Sequence, residues 1–324
     1  MIKGYFSKTP AGAKFFLSLG IVIITFLIIT LIGFAICMLV FKIDIYQTST
    51  LFSNLSNPQT VTILKFLQMV QSIALFVVPP FIAAFLFYKS APEYLYINKK
   101  PGIMPSVGAI LIMIAAIPII NFLANLNSNL ALPDFLSGLE ASMKSAEIKA
   151  MEITQAFLNI TTTQQLILNI FVIAVIPALG EEFLFRGIFQ RLFIEWTKNV
   201  HVGILVSAVL FSAFHLQFYG FLPRMMMGIF FGYLLVWSGS IWVPVMAHFI
   251  NNAFAVVVSY LVTKNTININ IESLGISGDG WIFVLMSAIT VAGFSAGIYL
   301  HCKRQSVAST PCLPDRQALS HRIP

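Results

Sequence analysis

The chain has 324 residues, 58% of them hydrophobic and only 10% charged, with a mean hydropathy of +0.89. Soluble domains carry about a quarter charged residues, so this composition excludes a water-soluble globular protein and implies an integral membrane one. The net charge of +7 fits a topological bias rather than a polyanion partner, because no basic stripe interleaved with aromatics points to nucleic acid.

A spanning helix needs roughly 20 mostly apolar residues. Uncharged runs near 15–41, 66–88 and 102–126 predict three N-terminal spans. The first follows Lys3, Lys8 and Lys14 like the basic start of a signal peptide. It is far longer than the roughly 7–15 apolar residues of a cleaved signal, so it reads as a retained anchor. Residues 127–163 form the longest outside loop, in which Leu139, Met143, Ile148, Met151 and Phe157 recur at helical spacing, as in a helix lying on the outer surface. Further spans are expected near 165–193, 202–219, 225–240, 241–263 and 281–300. Gly220, Pro223 and Arg224 are read as a turn between two of them.

The expected architecture is therefore an all-α polytopic membrane protein with about eight transmembrane helices and both termini in the cytoplasm. Most of the 19 Lys and Arg then fall on the inner side, as the positive-inside rule requires. The organisation reads as a cytoplasmic start (1–14), three N-terminal spans (15–126) and the external loop (127–163). A polar-bearing core (164–262), a last loop and span (263–301) and a disordered cytoplasmic tail (302–324) follow. Cys37, Cys302 and Cys312 have neither ligand spacing nor an even count and read as thiols in no disulfide.

The first three spans carry no acid or histidine within the membrane, whereas the next four hold Glu181, Glu182, Arg186, His215, His248, Asn251 and Asn252. An ionisable side chain at mid-bilayer costs at least ~2.5–3.5 kcal/mol, so such groups face a bundle interior and mark function. On a helix, Glu182 and Arg186 are four apart and share a face, ready to pair. Glu181 is turned about 100° away and is left over. His215 and His248 with Asn252, on two other helices, are the groups it can meet.

Two kinds of peptide hydrolysis suit this set. A carboxylate and an imidazole can activate water while a second imidazole and a carboxamide stabilise the oxyanion. Alternatively, Glu181, His215 and His248 could hold Zn²⁺, although H-E-x-x-H is absent. A proton-coupled transporter using Glu181 and the histidines as a relay is the competing class. It finds no matching charged motif in residues 1–126. A non-catalytic scaffold or immunity protein on the same fold would be favoured by loss of a polar residue from this set.

The residues themselves resemble a known family. "EEFLFR" (181–186), "FSAFH" (211–215) and "HFINN" (248–252) are similar to the E-E-x-x-x-R, F-x-x-x-H and H-x-x-x-N motifs of the CAAX protease and bacteriocin-processing family of intramembrane endopeptidases. The similarity covers about 165–262, and no motif position is missing. It implies Glu181 and His215 as the water-activating pair, His248 and Asn252 as the oxyanion site, and Glu182 and Arg186 as supporting residues. No cofactor is required by it, though the family leaves Zn²⁺ open. The implied partners are the bilayer and a hydrophobic or lipid-anchored protein or peptide substrate entering from the membrane. Short connections and the absence of a targeting extension point to a bacterial inner membrane.

Overall fold

The computed structural model describes residues 3–43, 54–130, 132–267, 274–276 and 280–308. Cys312 and the tail from 309 lie outside the described residues. Helix α1 (Ala11–Phe41) ends where Lys42 turns left-handed. Helix α2 (Pro58–Phe87) opens on Asn57, whose side chain accepts from Gln59 N, and widens into a π-helical turn at Ile73–Val77 just before Pro79 and Pro80. The expected span at 102–126 is two helices, α3 (Ile103–Ala115) and α4 (Ile117–Ser128), bent by 50° at their junction. Pro118 sits at this bend and withholds the N–H a continuous helix would need.

The outside loop contains the 22-residue helix α5 (Ser137–Leu158). Helix α6 (Thr163–Thr197) starts on a full capping box between Thr162 and Gln165. It is followed by α7 (Val200–Ala213), α8 (Phe221–Ser238), α9 (Trp242–Thr263) and α10 (Gly280–Ala308). The last of these runs into the segment read as tail.

Among the described residues, six helices are long and apolar enough to cross a membrane, or seven with the bent pair as one span. The eighth expected span is α7, which has only 14 residues, about 21 Å of helix. It stops short because Leu216 turns the backbone to a φ of 53° directly after His215. Pro223 and Arg224 are not in a turn. They lie in the first turn of α8, where a proline's missing N–H would be unpaired anyway.

Helix α7 packs along α8, while α3 packs against both α9 and α10, and α1 against α2 and the end of α6. The large apolar side chains left outside, such as Leu27, Leu31 and Leu39 on α1 and Met286 and Ile289 on α10, suit a lipid surround. Helix α5 is tied to the turn that leads into α8: Tyr219 N donates to Glu147 Oε2 at 3.0 Å and Tyr219 Oη to Glu140 Oε1 at 3.2 Å.

Candidate active site

The site begins with an irregularity in α6. Its residues Ile170–Val175 and Phe183–Gln190 wind as π-helix around a regular stretch, Ile176–Glu182, a departure often found at functional sites. Pro177 lies in the first turn of the regular stretch, where its missing N–H leaves a gap in the backbone ladder. Close by, Asn252 of α9 donates Nδ2–H to the Ile173 carbonyl at 3.2 Å, tying α9 to the π-helical part of α6.

The far side of α6 is held by α8. Gly228 and Gly232 are four apart, and their carbonyls accept from Arg186 Nη2 and Gln190 Nε2, also four apart, each at 3.2 Å. A Cβ at Gly232 would fall 2.7 Å from Gln190 Oε1 and 2.8 Å from Ile204 Cγ2. Only the bare backbone allows this approach, the usual logic of small residues spaced by four in membrane helices.

Arg186 is 1% exposed and Glu182 0%. Arg186 Nη1 donates to Glu182 Oε1 at 2.8 Å, and the guanidinium lies over the rings of Phe211 and Phe231, 4.5 and 5.3 Å from their centroids. The same Glu182 oxygen accepts from His248 Nδ1 at 2.8 Å. The buried carboxylate is thus fixed by two donors, while the Phe231 ring stacks on His248 at 5.3 Å.

Glu181 faces the other way. Its Oε2 stands 3.9 Å from His215 Nε2 and 3.8 Å from His248 Nε2, and it is buried with no hydrogen-bond partner. His215 Nδ1 is 2.8 Å from Phe211 O. A carbonyl can only accept, so Nδ1 carries the proton, and in the neutral ring Nε2 presents a lone pair towards Glu181. A gap of 3.9 Å is too wide for a direct hydrogen bond and suits one water bonded to both atoms.

The structure thus brings together Glu181, Glu182, Arg186, His215 and His248. Asn252 lies one turn beyond His248 on α9, its Nδ2 donating to Ile173 O and its Oδ1 accepting from Asn251 Nδ2 at 3.1 Å. One of its two N–H bonds is left for another acceptor. Sequence reasoning assigns Glu182 to Arg186 alone and misses its bond to His248. It also misses Phe231, whose ring lies against both Arg186 and His248, because nothing local marks it out from its neighbour Phe230. Phe211, the other wall, is readable from its place four residues before His215.

Zinc fits this arrangement poorly. Tetrahedral arms of about 2.0–2.2 Å place ligand atoms roughly 3.4 Å apart, closer than the 3.8 and 3.9 Å seen between Glu181 and the two imidazoles. Among the described residues, no group of three or more His, Cys, Asp or Glu is disposed to hold a metal ion.

Residues 163–254 match the family model described as Type II CAAX prenyl endopeptidase Rce1-like. Over 114 residues, 35% of this chain and 46% of the relative, the sequence is 32% identical to the "Putative membrane peptidase YdiL" of Bacillus subtilis (strain 168). It is 28% identical over 89 residues, 26% of this chain and 42% of the relative, to the "Uncharacterized protein YpbD" of the same organism. The chain spans less than half the length of these curated relatives. No solved structure matches it.

Proposed function

From the match of residues 163–254 to the Rce1-like CAAX endopeptidase family model, we infer that this membrane protein is an intramembrane endopeptidase. It hydrolyses a peptide bond in a hydrophobic or lipid-anchored substrate that enters from the bilayer. The observation that carries this reading is the 3.9 Å gap between Glu181 Oε2 and His215 Nε2, two proton acceptors aimed at one point. A water there gives a proton to the pair as its oxygen attacks the substrate carbonyl carbon.

The oxyanion that forms needs donors. His248 turns its Nδ1 to Glu182, which leaves Nε2 on the side of Glu181, where an Nε2–H would reach the oxyanion. The spare N–H of Asn252 is the second donor. Collapse of the tetrahedral intermediate breaks the C–N bond, and the proton taken from water passes to the leaving amine. Glu182 and Arg186 act by holding His248.

The setting we propose is the cytoplasmic membrane of a bacterium with both ends of the chain inside. The basic inner segments and the Bacillus relatives support this. The test is cleavage of a peptide library by purified protein in detergent, compared with Glu181→Ala and His215→Ala. Both substitutions are expected to abolish cleavage, and full activity in either would overturn the assignment. Chelator-treated, metal-free protein is expected to stay active; loss of activity restored by Zn²⁺ would replace this mechanism with a metal-dependent one.

A further inference from the structure

A groove of about 620 Å³ runs between α3 and α10, and none of the residues lining it belongs to the candidate active site. Met104, Val107 and Leu111 form one wall and Phe294 the other, each of them exposed to the outside of the bundle. At one end the lining turns polar, with Gly102 at the start of α3 and His301 and Gln305 on α10. The two helices touch where Ile298 packs on Gly108. A Cβ on that glycine would fall 2.9 Å from Ile298 Cδ1, so its bare backbone sets how closely the walls stand.

The length of the groove limits what fits it. The stretch of α10 from Phe294 to Gln305 rises about 16 Å, roughly half of the ~30 Å hydrocarbon core of a bilayer. That is one leaflet. A spanning helix of another protein needs twice the length, whereas a single lipid matches it, head at the mouth and one chain along the wall.

The mouth selects the head. Lys99 and Lys100 lie exposed just before α3, and Lys303 and Arg304 lie exposed on the last turns of α10. Neither 99–111 nor 294–308 contains an Asp or Glu. The lysine segment is fixed from behind, because Ser240 Oγ donates to Lys99 O at 2.7 Å and Trp242 Nε1 to Ile97 O at 2.9 Å. Helix α3 opens on Gly102 without a side-chain cap. The N–H groups of Ile103 and Met104 therefore remain for an outside acceptor, at the positive end of the helix. Gln305 Nε2 donates to His301 Nε2 at 2.9 Å, so in the neutral ring Nδ1 carries the proton and can donate it to a hydrogen bond.

We propose that this groove binds one anionic phospholipid of the leaflet that the basic ends of α3 and α10 meet, the inner one in the topology given above. The phosphate sits between the first turn of α3, Lys100 and His301, and one acyl chain lies along Val107, Leu111 and Phe294. A zwitterionic head would bring its own cation to a mouth that is already basic, and that is why an anionic one is favoured. Seated there, the lipid braces α10 against α3, which packs on the helix that carries His248.

The experiment uses the full chain, delipidated in neutral detergent, with phosphatidylglycerol and phosphatidylcholine of identical chains offered in equal amounts. Native mass spectrometry reads the lipid retained, and the unfolding midpoint reads its effect. Wild type is expected to keep one phosphatidylglycerol at least about tenfold over phosphatidylcholine, with a raised midpoint only in its presence. The double variant Lys99→Gln, Lys100→Gln should lose most of that preference. Val107→Trp fills the groove from an exposed position and leaves every charge in place; it should lose the bound lipid and the rise in midpoint. Removing equal charge beside α1 and the end of α6, with Lys3→Gln and Lys198→Gln, should change neither.

Equal retention of the two lipids by wild type would overturn the proposal. So would a preference that survives Val107→Trp, or one that falls as far in the Lys3 and Lys198 control, since both describe a general attraction of basic loops to anionic lipid. Displacement of the lipid by inorganic phosphate alone would reassign the mouth to a free anion and overturn the lipid assignment. A midpoint that follows protein concentration and a dimer mass instead of lipid would give the groove to a second copy of the chain, and would overturn it as well.

Discussion

His248 donates its Nδ1–H to Glu182 Oε1 at 2.8 Å, joining α9 to α6 at the centre of the bundle. Glu182 is therefore more than a counter-ion for Arg186: it orients the ring whose other nitrogen faces Glu181. Glu182→Gln removes the charge that holds both donors and leaves Arg186 buried without a counter-ion. Breaking a buried pair in this way costs about 3–5 kcal/mol. A lower thermal midpoint in detergent and a marked fall in cleavage are expected together; unchanged stability would sink this account of Glu182.

Glu181 has a different status, because Glu182 Oε1 holds two donors while the buried Oε2 of Glu181 holds none. Glu181→Gln should slow peptide cleavage by about 10²–10⁴, the usual range for a general base, while leaving the unfolding midpoint close to wild type. A variant that unfolds as readily as Glu182→Gln would show that the two carboxylates share one structural job.

Asn252→Ala is expected to act on both levels. Loss of one oxyanion donor costs about 10²–10³ in kcat, and the Ile173 carbonyl left without its donor costs about 1–3 kcal/mol. Steady-state kinetics and detergent unfolding separate the two. A change in stability alone would remove Asn252 from the chemistry.

Gly232→Val tests the close contact between α6 and α8. The new side chain meets Gln190 and Ile204, and overpacking of this kind costs about 1–3 kcal/mol. The same substitution at Gly239, where nothing lies within 4 Å of an added Cβ, is strained for another reason, its φ of 65°, so Gly20, also with open space, is the proper control. Gly20→Val should leave the midpoint near wild type.

The link between α5 and the rest of the protein is expected to depend on pH. The hydrogen bond from Lys144, followed by that from Leu132 N, holds the Glu140 carboxyl below its ordinary range. A carboxylate with a lowered pKa contributes its stabilisation above the unfolded value, and that contribution is lost as pH falls through the folded value. The Leu132 amide should therefore stay protected from hydrogen exchange at neutral pH, after correction for intrinsic rates, and lose protection only below the usual carboxylate range of about 4.3. Loss of protection above about pH 6, well clear of that range, would contradict this.

Much of the site was legible in the sequence because charge in a membrane is costly and therefore rare. Glu181, Glu182, Arg186, His215 and His248 stand out against an apolar background, and helical spacing alone pairs Glu182 with Arg186. What the spacing could not show was contact between helices. The bond from His248 to Glu182 spans 66 residues of sequence, and no local pattern encodes it. The short α7 was hidden because apolar residues continue past Ala213, while the turn depends on the backbone of Leu216. Arg224 looked like part of a loop because Pro223 reads as a breaker, yet proline is well suited to a first helical turn.

The bond from Asn252 to the Ile173 carbonyl makes the backbone of α6 a support for a side chain of α9. That carbonyl belongs to the wide turn that precedes Ile176, so its direction depends on how the helix is wound there. A substitution that rewound this turn would swing the carbonyl and carry Asn252 with it, without altering any residue of α9.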